Sequence, residues 1–136
     1  DGLEHFEPEH AAFDIAHQPG AEVVDLLAAL NTGHEGGCGT IHANASSDVP
    51  ARIEALAATA GLDRAAAHSQ LVSAIDAVVH LTRRADGSRY VQRVDVLSRS
   101  GSGWVETAPA WLVAADGRVD VGAGLPRWRE LTAAAA

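Results

Sequence analysis

The spacing of apolar positions changes period partway along this chain. From Gly20, the residues Val23, Leu26, Leu27 and Leu30 fall at i, i+3, i+4 and i+7, the stripe of an amphipathic helix. Glu22 and Asp25 stand near the positive end of its dipole, and Gly33 occupies the position of a closing C-terminal glycine. CGTIHA then predicts a short strand in which Ile41 faces one side while Thr40 and His42 face the other. Ser46, Ser47 or Asp48 is placed to cap a second helix, with Pro50 tolerated in its first turn. Its expected buried stripe is Val49, Ile53, Leu56, Ala57 and Ala60, and Gly61 stops it. Asp63 is suited to cap a third helix, where Ala67, Leu71 and Ile75 recur every four residues. Both helices are short and rich in alanine, so packing must stabilise them more than propensity does.

Beyond Asp76 the period drops to 2. AVVHLTRR, the turn ADGS and RYVQRVDVLSR predict a hairpin in which Asp86 and Gly87 supply positive-φ residues. Val79 and Leu81, then Tyr90 or Val91, are expected to alternate with outward residues such as His80 and Thr82. GSGWVETAPAWLVAADGRVDV continues an antiparallel meander, with turns at 101–103 and at Asp116-Gly117 and with Trp104 and Trp111 covering the sheet. LPRWREL opens a last short helix at Pro126, and AAAA is a frayed end. Residues 1–18 are a poorly specified acidic lead-in whose one strand candidate is AAFDIA. The class is α/β.

Composition narrows the function. At 136 residues the chain suits one domain, and its 47% hydrophobic content is ordinary although alanine supplies much of it. No apolar run approaches a membrane span and the start of the sequence is acidic where a secretory signal is basic, so the expectation is a cytoplasmic protein. The single cysteine, Cys38, allows no internal disulfide and fits a reducing compartment. Eighteen acids against ten bases give a net charge of −8. No base precedes Arg52, and the acidic front third should repel nucleic acid and anionic lipid. Neither a nucleic-acid partner nor direct membrane insertion is therefore expected. All the bases are arginine. A P-loop of the form GxxxxGK[ST] places a lysine on the β- and γ-phosphates, and this lysine-free sequence holds none.

Chemistry concentrates in NTGHEGGCGTIHAN, Asn31 to Asn44. Gly36, Gly37 and Gly39 let backbone pass where a Cβ would collide, either in a turn or against a phosphate. His34 and His42 flank that loop and can each exchange a proton near neutral pH. The bland alternative is a surface turn with an interior His42 bonded to backbone. Metal binding has two candidate sets. His5, Glu7, Glu9 and His10 lack a supporting period, and His34, Cys38 and His42 at i, i+4 and i+8 lack a fourth ligand. Arg83, Arg84, Arg89 and Arg93 cluster near the hairpin, either to reach a neighbouring nucleotide or to discourage edge-to-edge aggregation.

The string PGAEVVDLLAALNTGHEGGCGTIHANASSDVPARIEAL, Pro19 to Leu56, closely resembles the histidine box and flanking helices of the secretion and pilus-assembly traffic ATPases. These are RecA-like ring motors of type II and type IV secretion and of tight-adherence pili. The resemblance runs over roughly 20–97, is densest from Ala29 to Asn44, and is strongest to the tight-adherence and conjugal-transfer branch. It implies that residues 19–136 are the C-terminal half of a RecA-like P-loop NTPase core: helix, strand and two helices, then the meander. It also implies ATP and Mg²⁺ as the family's cofactors, with His34, Thr40 and His42 as the histidine box. Gly33, His34, Glu35, Gly36, Gly37, Thr40 and His42 are then the nucleotide-proximal residues. Implied partners are intact ATPase subunits in a ring and an inner-membrane platform protein. Arg52 and Glu54 would lie on a helix near the ring interface, or on a solvated face.

The match departs from the family at its N-terminal end. A Walker B strand closing in a GEVRG-like string aligns with Ala16 to Gly20, which places His17 at the glutamate and Pro19 at the arginine. The expectation is a truncated or degenerate secretion ATPase that is inactive alone and binds neither ATP nor Mg²⁺ by itself. Its Asn31 to Asn44 strand would then expose an edge and an apolar face of a largely parallel sheet. The alternatives are a module docking onto an intact paralogous ring and a small metal-dependent enzyme using the His/Cys set.

Overall fold

The computed structural model describes residues 12–14, 20–33 and 36–134. The readings made on His5, Glu7, Glu9, His10, His17, Pro19, His34 and Glu35 lie outside those residues. The order of elements is β1 (Ala12–Asp14), α1 (Ala21–Asn31), β2 (Cys38–Thr40), a 3-10 turn (Ser46–Asp48), α2 (Val49–Thr59), α3 (Arg64–Ala74), β3 (Ala77–Arg83), β4 (Arg89–Arg99), β5 (Val105–Val113), β6 (Val119–Val121) and α4 (Leu125–Ala134). β1 and β2 pair in parallel, and the other four strands form an antiparallel sheet in sequence order. The fold is thus mixed α/β, with the expected helix, strand, two helices and meander.

The predicted stripes make the core. Val23, Leu26 and Leu27 of α1 bury against Val49 and Ile53 of α2, Leu71 of α3, Leu97 of β4 and Val105 of β5. Gly20 explains why α1 and α2 approach so closely, because a Cβ there would collide with the Leu56 carbonyl oxygen and Thr59 Oγ1. Asn31 Nδ2 donates to the Gln70 carbonyl at 3.2 Å and ties the end of α1 to α3. Asp63 caps α3 as expected, accepting from the Ala66 N–H at 2.8 Å. Gly33 (φ 102) and Gly61 (φ 85) close α1 and α2 in the left-handed conformation.

Several expectations are corrected. No side chain caps α2, since the 3-10 turn already runs into it and Asp48 itself is helical. Ala60 is exposed, beyond the buried Val49, Ile53 and Ala57. β2 stops at Thr40, so Ile41 to Ala43 leave the ladder. At the hairpin only Gly87 has positive φ; Asp86 instead accepts from the Ser88 N–H at 2.8 Å, which holds the turn in a conformation open to any L-residue. The largest reversal concerns β3, where Val79 and Leu81 are 54% and 57% exposed while His80 and Thr82 are half-buried. The face that meets the core is the one carrying Val78. Alternation was legible, but its sense was not, because alanine-rich helices mark no preferred side for a strand rich in valine on both faces.

Candidate functional site

Two glycines shape the approach to the histidine box. After α1, the Thr32 hydroxyl donates back to the Ala28 carbonyl at 2.8 Å, and Gly33 and then Gly36 (φ 80) turn the chain toward β2. β2 is exposed at all three positions, and its register with β1 is Ala12 to Cys38, Phe13 to Gly39 and Asp14 to Thr40. Ile41 is half-buried against the core, whereas Thr40 and His42 are exposed. This is the predicted division of sides: the apolar residue anchors the segment and the hydroxyl and imidazole stand on its outer side. Cys38 is also exposed.

The stretch from Gly36 to His42 borders a groove of about 1210 Å³. Leu27 and Leu30 of α1 contribute apolar wall, and Val79, Leu81 and Arg83 of β3 line it together with Arg89 of β4. β2 pairs only with β1 and β3 only with β4, so each leaves one edge without a strand among the described residues. Backbone N–H and C=O groups along such edges are ready to bond another strand. Gly36, Gly37, Thr40 and His42 thus line the same groove as Arg83 and Arg89, and His34 and Glu35 lie outside the described residues. Among the described residues no three His, Cys, Asp or Glu side chains gather as a metal site.

The four arginines of the hairpin have different surroundings. Arg93 Nε donates to both carboxylate oxygens of Asp95 at 2.7 and 2.8 Å, and Asp95 is fully buried. Arg84 Nε donates to the Ala115 carbonyl at 3.1 Å, and its guanidinium lies 4.2 Å from the centre of the Tyr90 ring, joining the two hairpin tips. Arg83 and Arg89 face one another in register across β3 and β4.

A polar cluster that the sequence reading missed lies on the other side of the helices. His68, 3% exposed on α3, accepts from the Val105 N–H at Nδ1 over 2.9 Å. Its proton is consequently on Nε2, which donates to Glu54 Oε2 at 2.8 Å. Arg64 Nε sits 3.3 Å from Glu54 Oε1 and its guanidinium lies 4.1 Å from the Trp104 ring centre. The His68 hydrogen bond holds the Glu54 carboxyl below the usual carboxylate range, with partial burial opposing it and the Arg64 charge assisting. Glu54 is therefore not on a simple solvated face. The available signal was His68 itself, one residue after Ala67 and three before Leu71 on the apolar stripe of α3.

No helix among the described residues is long and apolar enough to cross a membrane. The family described as "Type II/IV secretion system protein" matches residues 19–121, which takes in every element from α1 to β6. Two Mycobacterium tuberculosis proteins, named provisionally as conjugal transfer proteins Rv3659c (strain ATCC 25618 / H37Rv) and MT3759 (strain CDC 1551 / Oshkosh), are each 56% identical to this chain over 92 residues. That alignment covers 68% of this chain but 26% of either relative, so the chain spans about a quarter of their length. With the segment Asn31 to Asn44, the helices behind it and the meander all inside the matched span, the chain belongs to the type II/IV secretion system protein family.

Proposed function

We propose that this chain supplies the histidine-box portion of a RecA-like secretion ATPase core, and that hydrolysis requires a P-loop-bearing segment that joins along the groove between β2 and β3. The observation that carries this reading is the groove itself. It is bordered by the histidine-box backbone and by two strands that each have an unpaired edge. A strand entering there pairs its backbone with both edges and covers Leu30, Val79 and Leu81, which gives hydrogen bonds and apolar burial together.

The described residues fit a phosphate group and, with one carboxylate among them, do not by themselves fill a magnesium shell. Thr40 offers a hydroxyl donor, His42 an imidazole that can donate, and the glycines an approach free of side chains. Among the described residues lining the groove, Asp76, just before β3, is the one carboxylate that accompanies Thr40 and His42. Mg-ATP supplies the transferable phosphoryl group when bound. This chain's part is to meet the terminal phosphate through Thr40 and His42 and to report its loss through β2 to the helices packed behind Ile41. Conjugal transfer, the process named for the relatives, or the related assembly of tight-adherence pili is the work we assign to the complete motor. Ring subunits and an inner-membrane platform protein are its partners in that role.

A second form of the same reading has the chain docking onto an intact paralogous ATPase and supplying the histidine box in trans. The open edges favour this form equally.

Both forms are tested by mixing the purified chain with a P-loop-bearing secretion ATPase segment. The chain alone should show no turnover, the mixture should hydrolyse ATP, and His42→Ala or Thr40→Val should lower kcat at least tenfold without weakening assembly. Turnover by the chain alone, or a mixture that never associates, would overturn the proposal.

A further inference from the structure

We infer that Arg83 and Arg89 form a polyphosphate-binding pair at the hairpin end of the groove, contacting the same phosphate chain as the glycine turn and Thr40. The inference deepens the nucleotide reading above and rests on it for the identity of the natural ligand. Three observations lead to it. The two residues are direct cross-strand partners, so two guanidinium groups stand opposite one another, an arrangement that destabilises a sheet unless an anion compensates it. Neither has an acidic partner in the described structure: Arg83 Nη1 reaches only the Gly87 carbonyl at 3.3 Å, while the nearby acids Asp86 and Asp116 are engaged with Ser88 and Arg118. Both line the groove that Gly36, Gly37 and Thr40 also line.

The sign of the charge gives the pair its meaning. In a protein of net charge −8, two adjacent cations without an acidic partner among the described residues are a local exception. Arginine suits the task because its planar fork donates two parallel N–H bonds to phosphate oxygens. Neighbouring Arg84 has its guanidinium held by Ala115 and Tyr90, and Arg93 is paired with Asp95, which leaves Arg83 and Arg89 as the two arginines of the cluster that line the groove.

The test uses the chain as it is, with inorganic tripolyphosphate as the probe and NMR as the readout. Saturable binding in roughly the millimolar range should move the side-chain Nε–H signals of Arg83 and Arg89 together with the backbone signals of Gly36, Gly37 and Thr40. Arg83→Gln with Arg89→Gln should weaken it at least tenfold, while Arg99→Gln, at the other end of β4, should leave it unchanged. Both substituted side chains are exposed, and relief of their repulsion should leave the urea midpoint of the ligand-free double variant equal to or above that of the parent. Tripolyphosphate should then raise the parent's midpoint and not the variant's. An unstructured DNA oligonucleotide at equal phosphate concentration separates the source of the phosphate and should move neither set of signals. Arginine signals that stay fixed, that move without the glycine turn, or that respond to the oligonucleotide alone would overturn the inference. If tripolyphosphate binds as described while the P-loop segment never associates, the assembly reading falls and the anion pair stands.

Discussion

Gly20 and Asp95 show how much of this fold depends on single positions. Gly20 lets α1 begin against the last turn of α2, and the atoms a methyl group would strike are a backbone carbonyl and the Thr59 hydroxyl, neither of them the end of a long flexible chain. Gly20→Ala should therefore push the helices apart and destabilise the protein by about 1–3 kcal/mol, the usual range for overpacking, read as a fall in urea midpoint; an unchanged midpoint would show that α1 and α2 are not held at this spacing. Asp95 has no solvent contact and its counter-ion is Arg93, bonded through Nε to both oxygens. Arg93→Gln leaves that carboxylate buried without a cation, and a loss of about 3 kcal/mol is expected. The substitution Arg93→Gln combined with Asp95→Asn should recover part of the loss, since the charge to be solvated is gone. If the double variant is no better than the single one, the pair is not coupled as drawn.

At the scale of elements, the meander is attached to the helices through His68. One ring takes the Val105 N–H at Nδ1 and gives its proton to Glu54, so α2, α3 and β5 meet at a single imidazole. His68→Ala leaves a buried N–H without an acceptor, and about 1–3 kcal/mol should be lost, with hydrogen exchange at Val105 accelerating more than exchange at Val96. The Glu54 carboxyl is depressed by the His68 bond first and aided by the Arg64 charge. Because its folded value lies below the ordinary 4.5, its stabilisation is complete above that pH and disappears as pH falls through the folded value. Glu54→Gln should lower stability near neutrality and flatten the acid side of the stability profile, and parallel profiles for parent and variant would remove Glu54 from the account. None of this network was legible in the sequence, because its members come from three elements and no local spacing joins them. What was legible depended on local rules: the 3.6-residue stripe of α1, the glycine stops at Gly33 and Gly61, the Asp63 cap and the Gly87 and Gly117 turns. In the segment after α1, the division into a half-buried Ile41 and exposed Thr40 and His42 followed from strand parity even though the strand itself ends at Thr40. The inward side of β3 was not legible, since both of its faces carry valine.

For the molecule as a whole, that reversal on β3 has a consequence. Val79 pairs with Val94, Val94 with Trp111, and Trp111 with Val121, so one apolar row crosses all four strands. Leu81 with Val91 and Val113 with Val119 extend the same face toward the two hairpin tips. Val79, Leu81, Val91, Val119 and Val121 are the exposed large hydrophobic residues of the described structure, with exposures of 38–57%. They therefore form a single patch and are not scattered, the arrangement that marks a contact surface or an aggregation hazard. Mutual repulsion at net charge −8 opposes association of the isolated chain, and that repulsion is screened once the Debye length falls to about 3 Å near 1 M salt. The patch is not screened. Sedimentation should accordingly show a single small species at low salt and a rising apparent mass as sodium chloride increases. Leu81→Glu combined with Val121→Glu should keep the chain small at every salt concentration and leave its urea midpoint nearly unchanged, because both sites are more than half exposed. Salt-independent sedimentation of the parent would mean that the patch is too curved or too dispersed to pair with itself, and the open strand edges of the described residues, those of β2 and β3 among them, would then be left to explain any self-association.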